Sequence, residues 1–128
     1  MKLLLDTHIF IWWADQPEKL SPAALSALED RGNELLLSVA SVWEMQIKTQ
    51  LGKLKLSLPL KELLKNQQET NDITVSPVTL THVLALDALP FHHKDPFDRL
   101  LIAQSIEEEL VIVTADSQFS AYPVKLLR

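Results

Sequence analysis

The chain has no cysteine, which excludes a disulfide framework and thiolate metal sites and suits a reducing cytosol. It has only two glycines, with 47% hydrophobic and 23% charged residues. That composition belongs to a compact globular protein rather than a disordered one. Long apolar runs are missing too. The longest, Ile9 to Ala14, falls far short of the roughly 20 residues that span a bilayer. Lys2 and three leucines precede Asp6, too little for a signal peptide, so a cytoplasmic protein without membrane attachment is expected. Positive charge is in deficit as well. The formal net charge of −5 argues against an ordinary nucleic-acid-binding surface. Five lysines, Lys48, Lys53, Lys55, Lys61 and Lys65, nonetheless lie between Met45 and Lys65 against the single acid Glu62. That stretch reads either as a local basic patch or as a solvated helix face. A length of 128 residues predicts one domain, 1–128, large enough for its own core.

What is present is a strand–helix alternation. KLLLD near the start reads as a buried strand ending in an acid. Ser21-Pro22 predicts an N-cap with Pro at the first helical position, and Gly32 is placed to close that helix. ELLLS at 34–38 predicts a second strand, and Ser41 to Leu51 a helix ended by Gly52. Helical patterns follow from Pro59 to about Glu69, from Thr81 to Leu89 before Pro90, and from Pro96 to Glu109. Ile73 to Val78, VIVTAD at 111–116 and Val124 to Leu127 complete the strands. Strands separated by helices imply right-handed crossovers and a parallel sheet covered on both faces. The class is a doubly wound α/β sandwich.

In such a fold the carboxyl ends of the strands and the N-termini of the following helices share one edge, where ligands bind. Asp6 ends the first strand, Glu44 falls in the first turn of the helix after the second, Asp98 opens the helix before the fourth, and Asp116 follows the fourth. Each acid also has a local explanation. Ser41-Val42-Trp43-Glu44 is a capping-box spacing. Asp95-Pro96-Phe97-Asp98 is good helix-start chemistry, and Asp116 suits a turn. Asp6, a charge directly after three leucines, is costly unless paired or solvated. Capping does not explain why all four share one edge. Clustered carboxylates repel and raise one another's pKa. Mg²⁺ or Mn²⁺, hard cations that prefer oxygen, relieve that repulsion. Two such ions about 4 Å apart can hold a phosphodiester and activate water. Hydrolysis of a nucleic-acid strand is the chemistry this pattern serves best.

At this point a resemblance becomes evident. LLLDTH, SVASVWEMQIKTQLGKL, LPFHHKDPFDRLLIAQ and VTAD resemble PIN-domain ribonucleases, and more closely the VapC toxins of bacterial toxin–antitoxin modules, over essentially the whole chain and in order. The resemblance implies a PIN-like three-layer α/β/α sandwich with a central parallel sheet of four to five strands. It implies a Mg²⁺- or Mn²⁺-dependent endoribonuclease acting on RNA, held inactive by a cognate VapB-like antitoxin, and a homodimer. Carried over by position, Asp6, Glu44, Asp98 and Asp116 match the family's acidic quartet. Asp6 and Asp98 would be the most direct metal ligands, with Glu44 and Asp116 completing the site directly or through water. Asp95 would set the helix, and is kept as an outer-ligand candidate. Ser105 departs from the alanine common after AQ in this subgroup, away from the metal edge.

Accessory roles stay open at this level. Arg99 could neutralise a phosphate, brace a carboxylate, or form a surface ion pair. Thr7 and Thr114 could offer hydroxyls to a metal-bound water or be structural. His92 and His93 are adjacent, a poor arrangement for zinc, and are better placed to contact RNA or a partner. Trp12, Trp13 and Trp43 read as core or interface rather than as base-stacking platforms. Ile9, Phe10, Trp12 and Trp13 form either an antitoxin-facing surface or a buried first helix. A receiver domain would need a second acid near Asp6 and an Asp ending the middle strand. A haloacid-dehalogenase-like phosphatase would need D-x-D where the chain has Asp6-Thr7-His8. The remaining rival is a catalytically silent PIN fold kept for binding or scaffolding. Loss of one acid would mark it, and all four are present.

Overall fold

The first strand, β1 (Lys2–Leu5), sits at the centre of the sheet, and Leu3, Leu4 and Leu5 are completely buried. A central parallel strand is covered on both faces, which is why its sequence is a continuous rather than alternating apolar run. In the computed structural model, which describes residues 1–128, β1 pairs in parallel with β2 (Glu34–Ser38) and β4 (Val111–Val113). Outside them lie β3 (Thr74–Ser76) and β5 (Lys125–Leu127), giving the order β3-β2-β1-β4-β5. The expected ITVSPV strand is shorter than its apolar run, ending at Ser76 before Pro77, which has no N–H for the ladder.

The pleat divides the core. Leu3, Leu5, Leu35, Leu37 and Val113 join residues of α1 (Thr7–Asp15), α2 (Pro22–Glu29), α3 (Val39–Gln50) and α4 (Leu60–Asn71) in one cluster. Leu4 lies in register between Leu36 and Ile112 and packs with Leu101 and Ile102 of α6 (Pro96–Glu108), together with Phe119 and Tyr122, in the other. Each buried Leu stabilises the fold by about 1.5–3 kcal/mol. The result is the three-layer sandwich expected. Ile9 and Phe10 are 2% and 0% exposed, so they belong to the core and not to a partner surface. Trp12 and Trp13 are half-buried against it.

Helix boundaries follow local chemistry, with three corrections. α2 starts where expected, the Ser21 hydroxyl accepting the Ala24 N–H at 3.1 Å, but it ends at Glu29. Gly32 lies beyond it in a turn, its N–H donating to Asp30 Oδ1. α3 starts earlier than predicted: Ser38, the last residue of β2, caps Ala40 N–H at 3.0 Å. Ser41 and Glu44 are therefore not a capping box, and Glu44 lies in the second turn. The same helix closes at Gly52 (φ +71°) as predicted. Gly52 N–H donates to Thr49 O and Lys53 N–H to Lys48 O, the pair of bonds that a left-handed C-terminal residue makes. The helix before Pro90 is only α5 (Leu80–Ala85), followed by a 3₁₀ turn at Leu86–Ala88. His82 ties α5 to α6 through Glu108 at 2.9 Å.

Chain connections reverse direction between β1 and β4. That is the topological switch point where open α/β sheets bind ligands. Asp6 leaves the end of β1 and Asp116 follows β4, so the two acids stand on either side of it.

Candidate active site

Asp6 occupies the N-cap position of α1, but its carboxylate makes no cap bond. Its peptide N–H continues the sheet to Val113 O at 3.0 Å. Oδ2 instead accepts the Thr114 hydroxyl across the switch point at 2.8 Å. The side chain is 4% exposed, and burial raises its pKa above the usual carboxylate range despite the Thr114 hydrogen bond. An Asp that is placed to cap and does not cap has its orientation set by something other than the helix.

Glu44 is likewise free of capping duty. It is 4% exposed. Oε1 accepts from Thr7 Oγ1 at 2.8 Å, and Oε2 from Lys48 Nζ one turn along α3 at 2.7 Å. Thr7 Oγ1 also lies 2.9 Å from Ser41 Oγ. A hydroxyl carries one proton, so Ser41 donates to Thr7 and Thr7 to Glu44. Both threonines thus orient carboxylates: Thr114 holds Asp6 and Thr7 holds Glu44.

Asp95 and Asp98 divide the two roles that their spacing allowed. Asp95 is the cap of α6, Oδ1 accepting from Phe97 and Asp98 N–H at 2.8 and 3.1 Å. Asp98 points its carboxylate into the acid cluster. Its pKa is pushed up to about 8, first by burial and then by the charges of Asp6, Asp95, Glu44 and Asp116. Asp116 is half-exposed. Its Oδ1 caps the following 3₁₀ turn through Gln118 N–H, while Oδ2 faces the cluster. The four acids predicted for the edge are brought together there.

His93 connects two of them, a role the sequence did not suggest. It is 8% exposed. Nδ1 accepts the Asp95 N–H at 3.2 Å, so the neutral ring carries its proton on Nε2. That Nε2 lies 2.9 Å from Asp98 Oδ2 and 3.3 Å from Asp116 Oδ2. Although His93, Asp98 and Asp116 hold their donor atoms within 4.8 Å of one another, a protonated nitrogen cannot ligate an ion. The histidine is a hydrogen-bond donor that positions two carboxylates. The donor atoms gathered here are carboxylate oxygens, with neither a thiolate nor a free imidazole nitrogen, and such a set fits a hard divalent cation.

Arg99 takes none of the roles anticipated for it. It is 6% exposed and turned inward, donating to Pro90 O at 2.9 Å and to Leu86 O and Leu89 O at 3.3 Å. Its guanidinium stacks 4.1 Å over Phe91. Tyr122 joins the same knot, its hydroxyl donating to Pro90 O at 2.7 Å and accepting His93 N–H at 2.8 Å. Arg99 and Tyr122 fix the loop that carries His93. Its partner His92 is exposed, edge-on to the Tyr122 ring. Lys48, also missed, could have been found from its spacing: a Lys four residues after a Glu on one helix is a standard pairing.

Comparison with known proteins agrees with the fold. The PIN domain family matches residues 3–125. Ribonuclease VapC22 of Mycobacterium tuberculosis is 31% identical over 121 residues, covering 94% of this chain and 91% of its own. The solved structure of VapBC2 from Rickettsia felis, bound to a promoter DNA fragment, superposes with a TM-score of 0.75 at 17% identity, covering 98% of this chain and 97% of that one. A toxin–antitoxin complex from Klebsiella pneumoniae superposes at 0.59 and 17% identity, covering 94% and 92%. These structural likenesses speak to the fold, and the sequence matches to ancestry. The chain belongs to the PIN domain family, within its VapC ribonuclease branch.

Proposed function

We propose that this chain is a Mg²⁺- or Mn²⁺-dependent endoribonuclease toxin that hydrolyses RNA phosphodiester bonds and is neutralised by a cognate VapB-like antitoxin. One observation carries the reading. The carboxylates of Asp6, Glu44, Asp98 and Asp116 gather at the sheet's switch point, where burial first and the neighbouring charges second push Asp98 up to about 8. A hard divalent cation would relieve both the burial of these charges and their mutual repulsion. The ribonuclease name of the 31% identical relative and the toxin–antitoxin complex among the structural neighbours support it. No helix is long and apolar enough to cross a membrane, which suits a cytoplasmic site of action. The whole of 1–128 serves as one domain, working as a homodimer.

Asp6 and Asp98 would hold the metal, with Glu44 and Asp116 completing its shell. When bound, a divalent ion polarises a phosphate and lowers the pKa of water. The chain's own residues prepare for that. Thr114 aims Asp6, Thr7 and Lys48 aim Glu44, and the His93 Nε2–H holds Asp98 against Asp116. The backbone knot around Arg99 keeps His93 in place without placing a guanidinium in the site.

The test is a Mg²⁺ and Mn²⁺ titration of the purified, antitoxin-free protein on total RNA, with Asp6→Asn and Asp98→Asn alongside. Metal-dependent cleavage is expected from the parent and a loss of at least about 100-fold from either variant, each still folded by circular dichroism. Cleavage by the variants at the parent's rate would remove these acids from the chemistry.

A further inference from the structure

Of the three tryptophans, Trp43 alone is left in solvent, 61% exposed, and it belongs to neither core cluster. It immediately precedes Glu44 on α3. Its ring meets Phe97 edge to face, with centroids 5.4 Å apart and planes at 79°, and Phe97 immediately precedes Asp98. The two aromatics therefore form one edge-to-face pair bridging α3 and α6, the helices that supply Glu44 and Asp98. The indole is held in orientation by Phe97 while most of its surface stays open, which is unlike a core residue.

We propose that Trp43, buttressed by Phe97, is the platform on which an unpaired nucleobase beside the scissile phosphate stacks. This rests on the nuclease reading above. The place of the pair points to the substrate of the adjacent site: it joins the two helices on which Glu44 and Asp98 are the next residues. Arg99 is turned inward and Lys48 is paired with Glu44, so neither is free to contact a phosphate beside the acids. Base–aromatic stacking adds an attraction that does not depend on charge. Only an unstacked base offers its face, so a duplex cannot use the platform.

The experiment maps a cut in total RNA, then uses a short single-stranded RNA spanning it and the same RNA with an abasic nucleotide at each position flanking the cut. Trp43→Ala should lower kcat/KM by roughly 5- to 150-fold, chiefly through KM, and Trp43→Phe should restore most of it. The melting temperature, its rise with Mg²⁺ and the sedimentation coefficient should not change. At one flanking position the abasic RNA should penalise the parent as much as Trp43→Ala does, and penalise Trp43→Ala no further. Cleavage by Trp43→Ala at the parent's rate, or an equal loss on every abasic RNA, overturns the platform while leaving the nuclease intact. Loss of cleavage together with dissociation to a smaller species assigns Trp43 to a contact between copies, which also overturns it. If the parent itself shows no metal-dependent cleavage, the nuclease reading falls and this inference with it.

Discussion

Replacing Asp98 with Asn should make the metal-free protein more stable at neutral pH. Asp98 has an ordinary pKa of 3.8 when unfolded and about 8 when folded, so the folded state binds its proton more tightly than the unfolded state does. Stability from this group is fully present below about pH 4 and is lost as pH rises towards 8. Each pH unit across that window costs ~1.4 kcal/mol, a ceiling of about 4 kcal/mol at pH 7. The side chain is 15% exposed, and solvent screening brings the expected value to about 2–3 kcal/mol. Asn has no proton to lose, and its amide oxygen still accepts from His93 Nε2. The variant should therefore melt roughly 10 °C above the parent at pH 7 in EDTA, with the two curves converging near pH 4. Mg²⁺ should raise the parent's melting temperature and displace the Asp98 proton as it binds, while the variant responds far less. Thermal melts by circular dichroism from pH 4 to 8, with and without metal, give the answer. Parallel curves for the two proteins, or a variant less stable than the parent at pH 7, would refute the account of a buried charge held among like charges in the site.

Arg99→Lys keeps the charge but cannot reach three carbonyls with a planar fork, and should lose about 2–4 kcal/mol in urea unfolding by leaving buried acceptors unpaired; unfolding like the parent would mean the knot around Pro90 is dispensable. Gly52→Ala forces a side chain to φ +71°, where its Cβ would touch nothing within 4 Å. The cost should thus be conformational alone, about 1 kcal/mol, and a loss well above 2 kcal/mol in the same assay would show a packing role instead.

The strands were legible because burial on both faces leaves an unbroken apolar run, and ELLLS matches β2 residue for residue. The start of α3 was misread for a physical reason. Ser38 is both the last strand residue and the helix cap, so no loop residue marks the junction, and the S-x-x-E spacing three positions later satisfies the same rule. Thr7, 37 residues before Glu44, decides what that acid does, and no local pattern contains it. His93 and Arg99 were hidden similarly. Tyr122, 29 residues beyond His93 and 23 beyond Arg99, fixes the path of their loop, so a run of charge that looks solvent-facing in sequence is folded inward.

The acids themselves show which part of a site sequence reasoning can reach. All had local explanations, and the structure separates them by hydrogen bonds. Asp95 caps α6 with one oxygen, and Asp116 caps its 3₁₀ turn with Oδ1 while giving Oδ2 to His93. Asp6 sits at a cap position without capping, and Glu44 is too far into its helix to cap. Spacing therefore located the cluster but could not assign duties within it, because a carboxylate at a helix start satisfies the backbone and a ligand site with equal ease. What distinguishes the two is the partner of each oxygen. Where long-range hydroxyls such as those of Thr7 and Thr114 hold the oxygen instead of helix-start N–H groups, helix capping no longer accounts for the acid, and its orientation is set by the tertiary fold.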